Sequence, residues 1–292
     1  MHTVSIIIPN YNGAAVLFKN IPRIIDAVRR VTECKEIIIA DDTSTDNSED
    51  VIQKLAKTSS IPLKLIKQSK HSNFAANVNT AVRQASGDIV VLLNSDVYPK
   101  TDFLTPLMKY FDDPKVFAVG MMDESIEENK IVRRGRGIGE WKRGFYVHQR
   151  GEVDKSDTAW VNGGSGAFRR SIFLNLGGFD PIYSPFYWED IDLSYRAIKA
   201  GYRVIFEPKS VVVHEHDRGA ILRQFTRKDI TIISYRNQFI FVWRNAAFTQ
   251  FIAHLLWLPF HVITAILAGN FLLIKGLFTG IIRYGLYFFR RS

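Results

Sequence analysis

The sequence predicts an α/β fold with a mostly parallel central sheet, followed by C-terminal membrane-associated helices. Three observations carry this. In the first hundred residues, short apolar runs alternate with segments of helical periodicity, the rhythm of βαβ units. Each run ends in polar or acidic residues, which aligns those residues on the rim where ligands bind in open α/β sheets. The stretch from Ala246 to Ile274 contains no Asp, Glu, Lys or Arg. It exceeds the roughly 20 apolar residues that a bilayer crossing requires.

In order, "VSIIIPN" reads as a buried strand, and residues near 14 to 31 have helical spacing interrupted by Pro22. "EIIIADD" is a second strand. "STDNSEDVIQKLAK" opens on capping residues and acids and turns helical. "LKLIKQ" is a third strand, "FAANVNTAVRQA" a helix stopped near Gly87, and "DIVVLLNSD" a fourth strand. From about Lys115 to Val161 the pattern loosens. The Gly-rich, basic "RRGRGIGEWKRG" reads as a mobile loop or hairpin, either solvated or in contact with a diphosphate or lipid headgroup. Its glycine spacing misses the dinucleotide fingerprint, which argues against a nicotinamide dehydrogenase. Next come "YRVIFEP" and "SVVVHEHD" as short strands, with "FYWEDIDLSYR" before them opening a helix whose first turn is acidic. Asp192 reads there as a helix-start residue.

The formal charge of +9 is placed unevenly. From Arg218 to Ser292 there are ten Lys/Arg against the single acid Asp229, whereas residues 1 to 217 carry 28 bases and 28 acids. A neutral body with a basic, apolar tail points to an anionic lipid surface rather than to nucleic acid. The one cysteine, Cys34, excludes an internal disulfide and fits a reducing compartment. The first apolar run lacks a basic leader and a cleavage site, so it is expected to be a strand and not a signal peptide. Three segments follow: a body over 1–217, a basic juxtamembrane helix over 218–245, and hydrophobic helices over 246–292. Pro259, His254, His261 and Gly269-Asn270 interrupt the last, and Lys275, Arg283, Arg290 and Arg291 follow. A single outward span would put those charges against the positive-inside tendency, so a re-entrant, hairpin or interfacial pair is expected. The alternatives are a buried helix pair or an oligomer contact.

Acids stand at three expected strand or loop ends: Asp41-Asp42, Asp96, and Glu189-Asp190. A carboxylate after "EIIIA" can accept from a base N–H or a sugar hydroxyl, or cap a helix. Asp96 closes a strongly apolar strand, a costly position unless a cation or solvent meets it. A divalent metal bridging phosphates would do so. His214 follows "SVVV", with His216 as the competing histidine.

Five segments, "SIIIPNYNG", "IIADDTSTDNS", "GDIVVLLNSDV", "GAFRRSIFLNLGGFD" and "FYWEDIDLSYR", resemble in order the motifs of family 2 of the inverting glycosyltransferases. That resemblance covers about residues 3 to 217 and implies the Rossmann-like GT-A fold that binds nucleotide sugars. The wider resemblance is to bacterial members that extend lipid-linked or cell-surface polysaccharides, including rhamnosyl- and galactofuranosyl-transferases. The resemblance implies that Pro9, Asn10 and Tyr11 border the nucleotide and that Asp41 reads the pyrimidine. It implies that Asp96 and His214 hold a divalent metal, Mg or Mn, and that Asp190 is the general base. Trp188 and Glu189 would line the acceptor side. Two departures stand out. The metal motif reads Asn94-Ser95-Asp96, so its first acid is an amide that would touch ribose or a metal-bound water. In "HSNFAANVN", Asn73 stands where relatives carry glycine, which predicts a different local loop. The resemblance implies a nucleotide-diphosphate sugar and a lipid-linked or glycan acceptor as partners, the basic apolar tail adds membrane lipids, and that tail leaves a self-contact open. The implied location is the cytoplasmic face of a bacterial cell membrane. Nucleotidyl transfer and a non-catalytic glycan- or lipid-binding scaffold are the competing functions.

Overall fold

The computed structural model describes residues 2–29, 31–127, 130–215 and 224–289. His216, Arg218, Arg223, Arg290 and Arg291 lie outside the described residues. β1 (Val4–Asn10), β2 (Cys34–Asp41), β3 (Leu63–Lys67) and β4 (Ile89–Leu93) form one parallel flank of the main sheet. Helices α1 (Ala14–Val28), α2 (Ser48–Thr58) and α3 (Asn73–Gln84) connect them. The inner strands β1, β2 and β4 are apolar on both faces because both are covered. Ile6, Ile8, Ile37 and Ile39 face Leu17, Ile21 and Ile52 of the first two helices, while Ile7 and Ile38 face Val78 and Val82 of α3. Pro22 does not break α1. Burial of Leu17, Ile21, Ile24 and Val28 on the sheet outweighs the roughly 3 kcal/mol that an interior proline costs.

Beyond β4 lie β5 (Val97–Pro99), helix α4 (Leu104–Met108), β6 (Val116–Glu127) and β7 (Lys130–Arg134). A separate hairpin, β8 (Gly137–Lys142) and β9 (Phe145–Arg150), precedes β10 (Ser165–Arg169) and helix α5 (Arg170–Asn175). Helix α6 (Glu189–Lys199) leads to the long β11 (Arg203–Glu215). The nine-stranded sheet runs β3-β2-β1-β4-β10-β6-β11-β5, with β7 on β6. It is mixed rather than mostly parallel, because β10 runs against both β4 and β6, and β5 and β7 run against β11 and β6. The loosely patterned stretch after Lys115 is thus strand and hairpin. Three of its basic residues pair within the chain: Arg133 with Glu124, Arg134 with Glu127, and buried Arg136 with Asp157. The two short strands expected near the end are one, bent where the register slips between Glu207 and Val211 around Pro208.

Helix α7 (Arg227–Asn245) packs against the body of the protein. Phe239, Ile240, Phe241 and Val242 are fully buried, and Ile240 and Phe241 join Tyr146, Tyr183, Trp188 and Ile191 in a third cluster beside α6. Each such side chain contributes about 1.5–3 kcal/mol by leaving water. α8 (Phe248–Leu267) and α9 (Phe271–Phe289) follow, joined through Gly269-Asn270. α8 is the one described helix long and apolar enough to cross a membrane, with a mean hydropathy of 1.6 and only 11% of it buried in the chain. The tip of the β8–β9 hairpin sits on it: His254 Nδ1 bonds the Gly144 carbonyl at 2.9 Å, and His261 Nε2 the Arg143 carbonyl at 2.8 Å. The two histidines that interrupt the apolar run are therefore docking points for the hairpin.

Candidate active site

The loops after β1 and β2 are tied to each other. Asn10 and Asp41 are register partners, and Asn10 Nδ2 donates to Asp41 Oδ1 at 2.8 Å. The Ser44 N–H donates to Asp41 Oδ2 at 3.0 Å, and the Ser44 hydroxyl to Oδ1 at 2.5 Å. These three donors leave buried Asp41 one of a carboxylate's roughly four acceptor positions. Pro9 sits opposite Ala40, and the Tyr11 ring stands tilted 4.7 Å from the His71 ring. Asp42 is consumed locally, accepting from the Ser72 and Asn73 amides at the start of α3. Asn73 has φ 63°, the left-handed region where glycine is at home and asparagine is tolerated. The substitution therefore keeps the backbone conformation that a glycine allows.

A second group forms where β4 ends. Asn94 donates its N–H to the Gly164 carbonyl at 2.9 Å and accepts from the Val97 N–H at 3.0 Å, which turns the chain through Ser95 and Asp96 into β5. β5 pairs with β11 so that Val97 faces His214. His214 Nε2 lies 3.2 Å from Asp96 Oδ2, and its Nδ1 lies 3.1 Å from Asp123 Oδ2 on β6. Burial alone pulls this imidazole's pKa down, but hydrogen bonds to Asp123 and Asp96 outweigh it and hold the pKa at about 9. Asp123 is the residue that sequence reasoning missed. Its signal was present, since "VFAVGMMD" ends an apolar run in an acid as the other rim segments do.

The third group is at the start of α6. Asp190 Oδ1 accepts the Ile191 N–H at 2.8 Å, and Oδ2 accepts the Gly163 N–H at 3.3 Å. Gly163 and Gly164 are consecutive, so a single dipeptide touches Asp190 on one side and Asn94 on the other. A Cβ on Gly164 would lie 2.3 Å from Asn94 Nδ2, so any larger residue must push the Asn94 side chain aside. Burial raises the Asp190 pKa, opposed by the Gly163 and Ile191 amides. Glu189 is 8% exposed, with Oε2 unpartnered, and burial followed by the Asp190 charge holds its carboxyl well above the usual range. Trp188, also buried, packs its ring 4.9 Å from His148 and 5.1 Å from Phe241. Asp192 is more than a helix-start residue. Fully buried, it accepts from Tyr183 Oη, Arg196 Nε and Asn245 Nδ2.

The Asp96–His214–Asp123 row and the start of α6 are therefore joined through the Gly163-Gly164 dipeptide, and the Asn10–Asp41 pair ends the neighbouring strands β1 and β2. Residues 5–177 match the family described as glycosyl transferase family 2. The chain belongs to that family. It is a glycosyltransferase with a GT-A-like fold. Over 220 residues it is 26% identical to an O-antigen chain rhamnosyltransferase of Salmonella typhimurium, covering 73% of this chain and 67% of the relative. GalNAc-T7 solved with UDP, GalNAc and Mn2+ superposes with a TM-score of 0.68 at 18% identity, over 83% of this chain and 48% of that one. A mannosyltransferase from Pyrobaculum calidifontis with GDP-Man and Mn2+ gives 0.61 at 21% identity, over 94% and 73%.

The donor set of this glycosyltransferase fits a divalent cation. A metal-binding histidine characteristically gives its second ring nitrogen to a carboxylate, which fixes the tautomer. His214 does this with Asp123 and turns Nε2 toward Asp96. Among the described residues, no three His, Cys, Asp or Glu converge to hold a metal unaided. Asp96 and His214 would hold it together with ligand oxygens.

Proposed function

We propose that this enzyme transfers a sugar with inversion from a nucleotide-diphosphate sugar to a hydroxyl of a lipid-linked or cell-surface glycan acceptor. The supporting observation is the Gly163-Gly164 dipeptide, which places Asp190 beside the Asn94–Asp96 turn. One in-line displacement needs one base opposite one leaving group. The acceptor oxygen bonds the anomeric carbon as the bond to the donor phosphate breaks. The electron pair leaves with the nucleoside diphosphate, and the acceptor proton passes to Asp190. Two carboxyls flanking the bond, as in hydrolysis, are not required. A bound Mg or Mn ion at Asp96 and His214 would neutralise charge growing on the departing diphosphate. Asp41, Asn10 and Tyr11 would receive the nucleoside, and Trp188 and Glu189 would shape the acceptor side. The relatives that carry UDP or GDP-Man with Mn2+ support the donor class, and the O-antigen rhamnosyltransferase supports the acceptor class.

The enzyme works at a membrane, on this reading its cytoplasmic face, with α8 and α9 lying in the interface. Leu256, Leu267, Phe278 and Ile282 on these helices are exposed, and Lys142, Arg143 and Lys275 supply positive charge nearby in the sequence or on the docked hairpin. The test is a panel of nucleotide sugars assayed with Mn2+ or Mg2+ for nucleoside diphosphate release, with the product anomer determined by NMR. Release coupled to an inverted linkage is expected. A retained anomer contradicts the single displacement.

A further inference from the structure

Immediately before α6, Tyr187 and Trp188 adopt φ 69° and 78° in succession. Left-handed backbone costs a non-glycine residue about 1–2 kcal/mol, and two in a row persist only where the surroundings enforce them. They also fix where α6 begins and so where Asp190, its second residue, projects.

The enforcement comes from α7. Asn237, with 0% exposure, donates from Nδ2 to the carbonyls of Tyr183 at 2.7 Å, Phe186 at 3.0 Å and Tyr187 at 2.9 Å. Its Oδ1 accepts from Arg236 Nε at 2.9 Å, which orients the amide with its N–H groups toward the loop. Arg236 also donates to the Ser184 carbonyl at 2.6 Å. A second grip follows along the same helix, where Asn245 Nδ2 meets Asp192 Oδ1 at 2.8 Å. The first turn of α6 is thus clamped by α7 both before and after Asp190.

We infer that Asn237 is a positioning residue for the transfer reaction, holding the Tyr183–Tyr187 backbone so that Asp190 points at the acceptor hydroxyl. The inference rests on the reading of Asp190 as the base. It makes α7, which carries no reacting group, part of the catalytic apparatus, and it ties the membrane-facing helices to the acceptor side through one continuous stretch of chain.

The experiment uses the full-length enzyme with Asn237→Ala and Asn237→Ser, the second retaining one hydrogen-bond donor. Turnover, acceptor KM and the binding stoichiometry of UDP, GDP and dTDP with Mn2+ are measured. Displacement of a catalytic group by an ångström costs up to about 100-fold, so Asn237→Ala is expected to lose about 10- to 100-fold in kcat while nucleotide binds at full stoichiometry. Asn237→Ser is expected to recover part of the loss. Wild-type kcat in the folded alanine variant overturns the inference. So does a kcat loss matched by an equal loss of nucleotide-binding stoichiometry, which is the signature of destabilisation alone. If the alanine variant does not fold, the serine variant is judged by the same criteria. Normal turnover in Asp190→Asn would instead remove the base assignment, whatever Asn237 does.

Discussion

Asp123 Oδ2 lies 3.1 Å from Nδ1 of His214, two rim residues that neighbouring parallel strands bring together. An orienting carboxylate of this kind typically contributes 10- to 100-fold in metal affinity. Asp123→Asn is therefore expected to raise the half-saturating Mn2+ concentration for nucleoside diphosphate release by about that factor. Turnover at saturating Mn2+ should change much less. An unchanged Mn2+ titration would show that Asp123 does not serve the metal.

Gly164→Ala tests the dipeptide between the two halves of the site. Its new Cβ would stand 2.3 Å from Asn94 Nδ2, and the clash must move either Asn94 or the Gly163 amide that holds Asp190. Overpacking of this sort costs about 1–3 kcal/mol. The variant should stay folded yet turn over about 10- to 100-fold more slowly, since displacing a catalytic group by an ångström costs up to about 100-fold. Full activity would show that this contact does not set the geometry.

Glu189 makes a prediction about stability. Its folded pKa lies well above that of the unfolded chain, because burial and then Asp190 oppose its charge. The folded form binds the extra proton, so stability is complete below the unfolded pKa and falls as pH rises through the folded one. Glu189→Gln removes that loss. The variant should melt higher than wild type at pH 8, with the difference closing at pH 4. An equal difference at both values would mean that the carboxyl is not the cause.

Leu256→Glu with Leu267→Glu addresses the exposed face of α8, where the two leucines are 75% and 82% exposed. A leucine leaving water is worth about 1.5–3 kcal/mol, so the double variant should lose more than about tenfold in flotation with anionic phospholipid vesicles. Release of the wild-type protein by salt alone would indicate purely electrostatic attachment.

The parallel flank was legible because period and end-residue chemistry agree there: "VSIIIPN", "EIIIADD" and "DIVVLLNSD" became β1, β2 and β4, each with its polar end on the rim. Strand β10 was not. "SGAFR" is short and carries no apolar run, and its antiparallel direction depends on where β4 and β6 lie. Pro22 read as an interruption because local propensity is visible in sequence, whereas the burial that overrides it is not. Asp96, Asp190 and His214 were recognisable by motif. Asp123 carried the same end-of-strand signal as the other rim acids but its pairing with His214 depends on the sheet order, and Asn237 carried no signal because its contacts with the Tyr183–Tyr187 loop depend on the α6–α7 packing.

The central claim is that Asp190 removes the acceptor proton, and the most direct measurement compares Asp190→Asn with wild type in single-turnover transfer alongside donor binding. The amide keeps the shape and can still accept from Gly163, but it cannot take the proton. The expected result is donor affinity within about twofold and transfer slowed by about 100-fold or more, the usual worth of a general base. Near-wild-type transfer by the folded variant would contradict it.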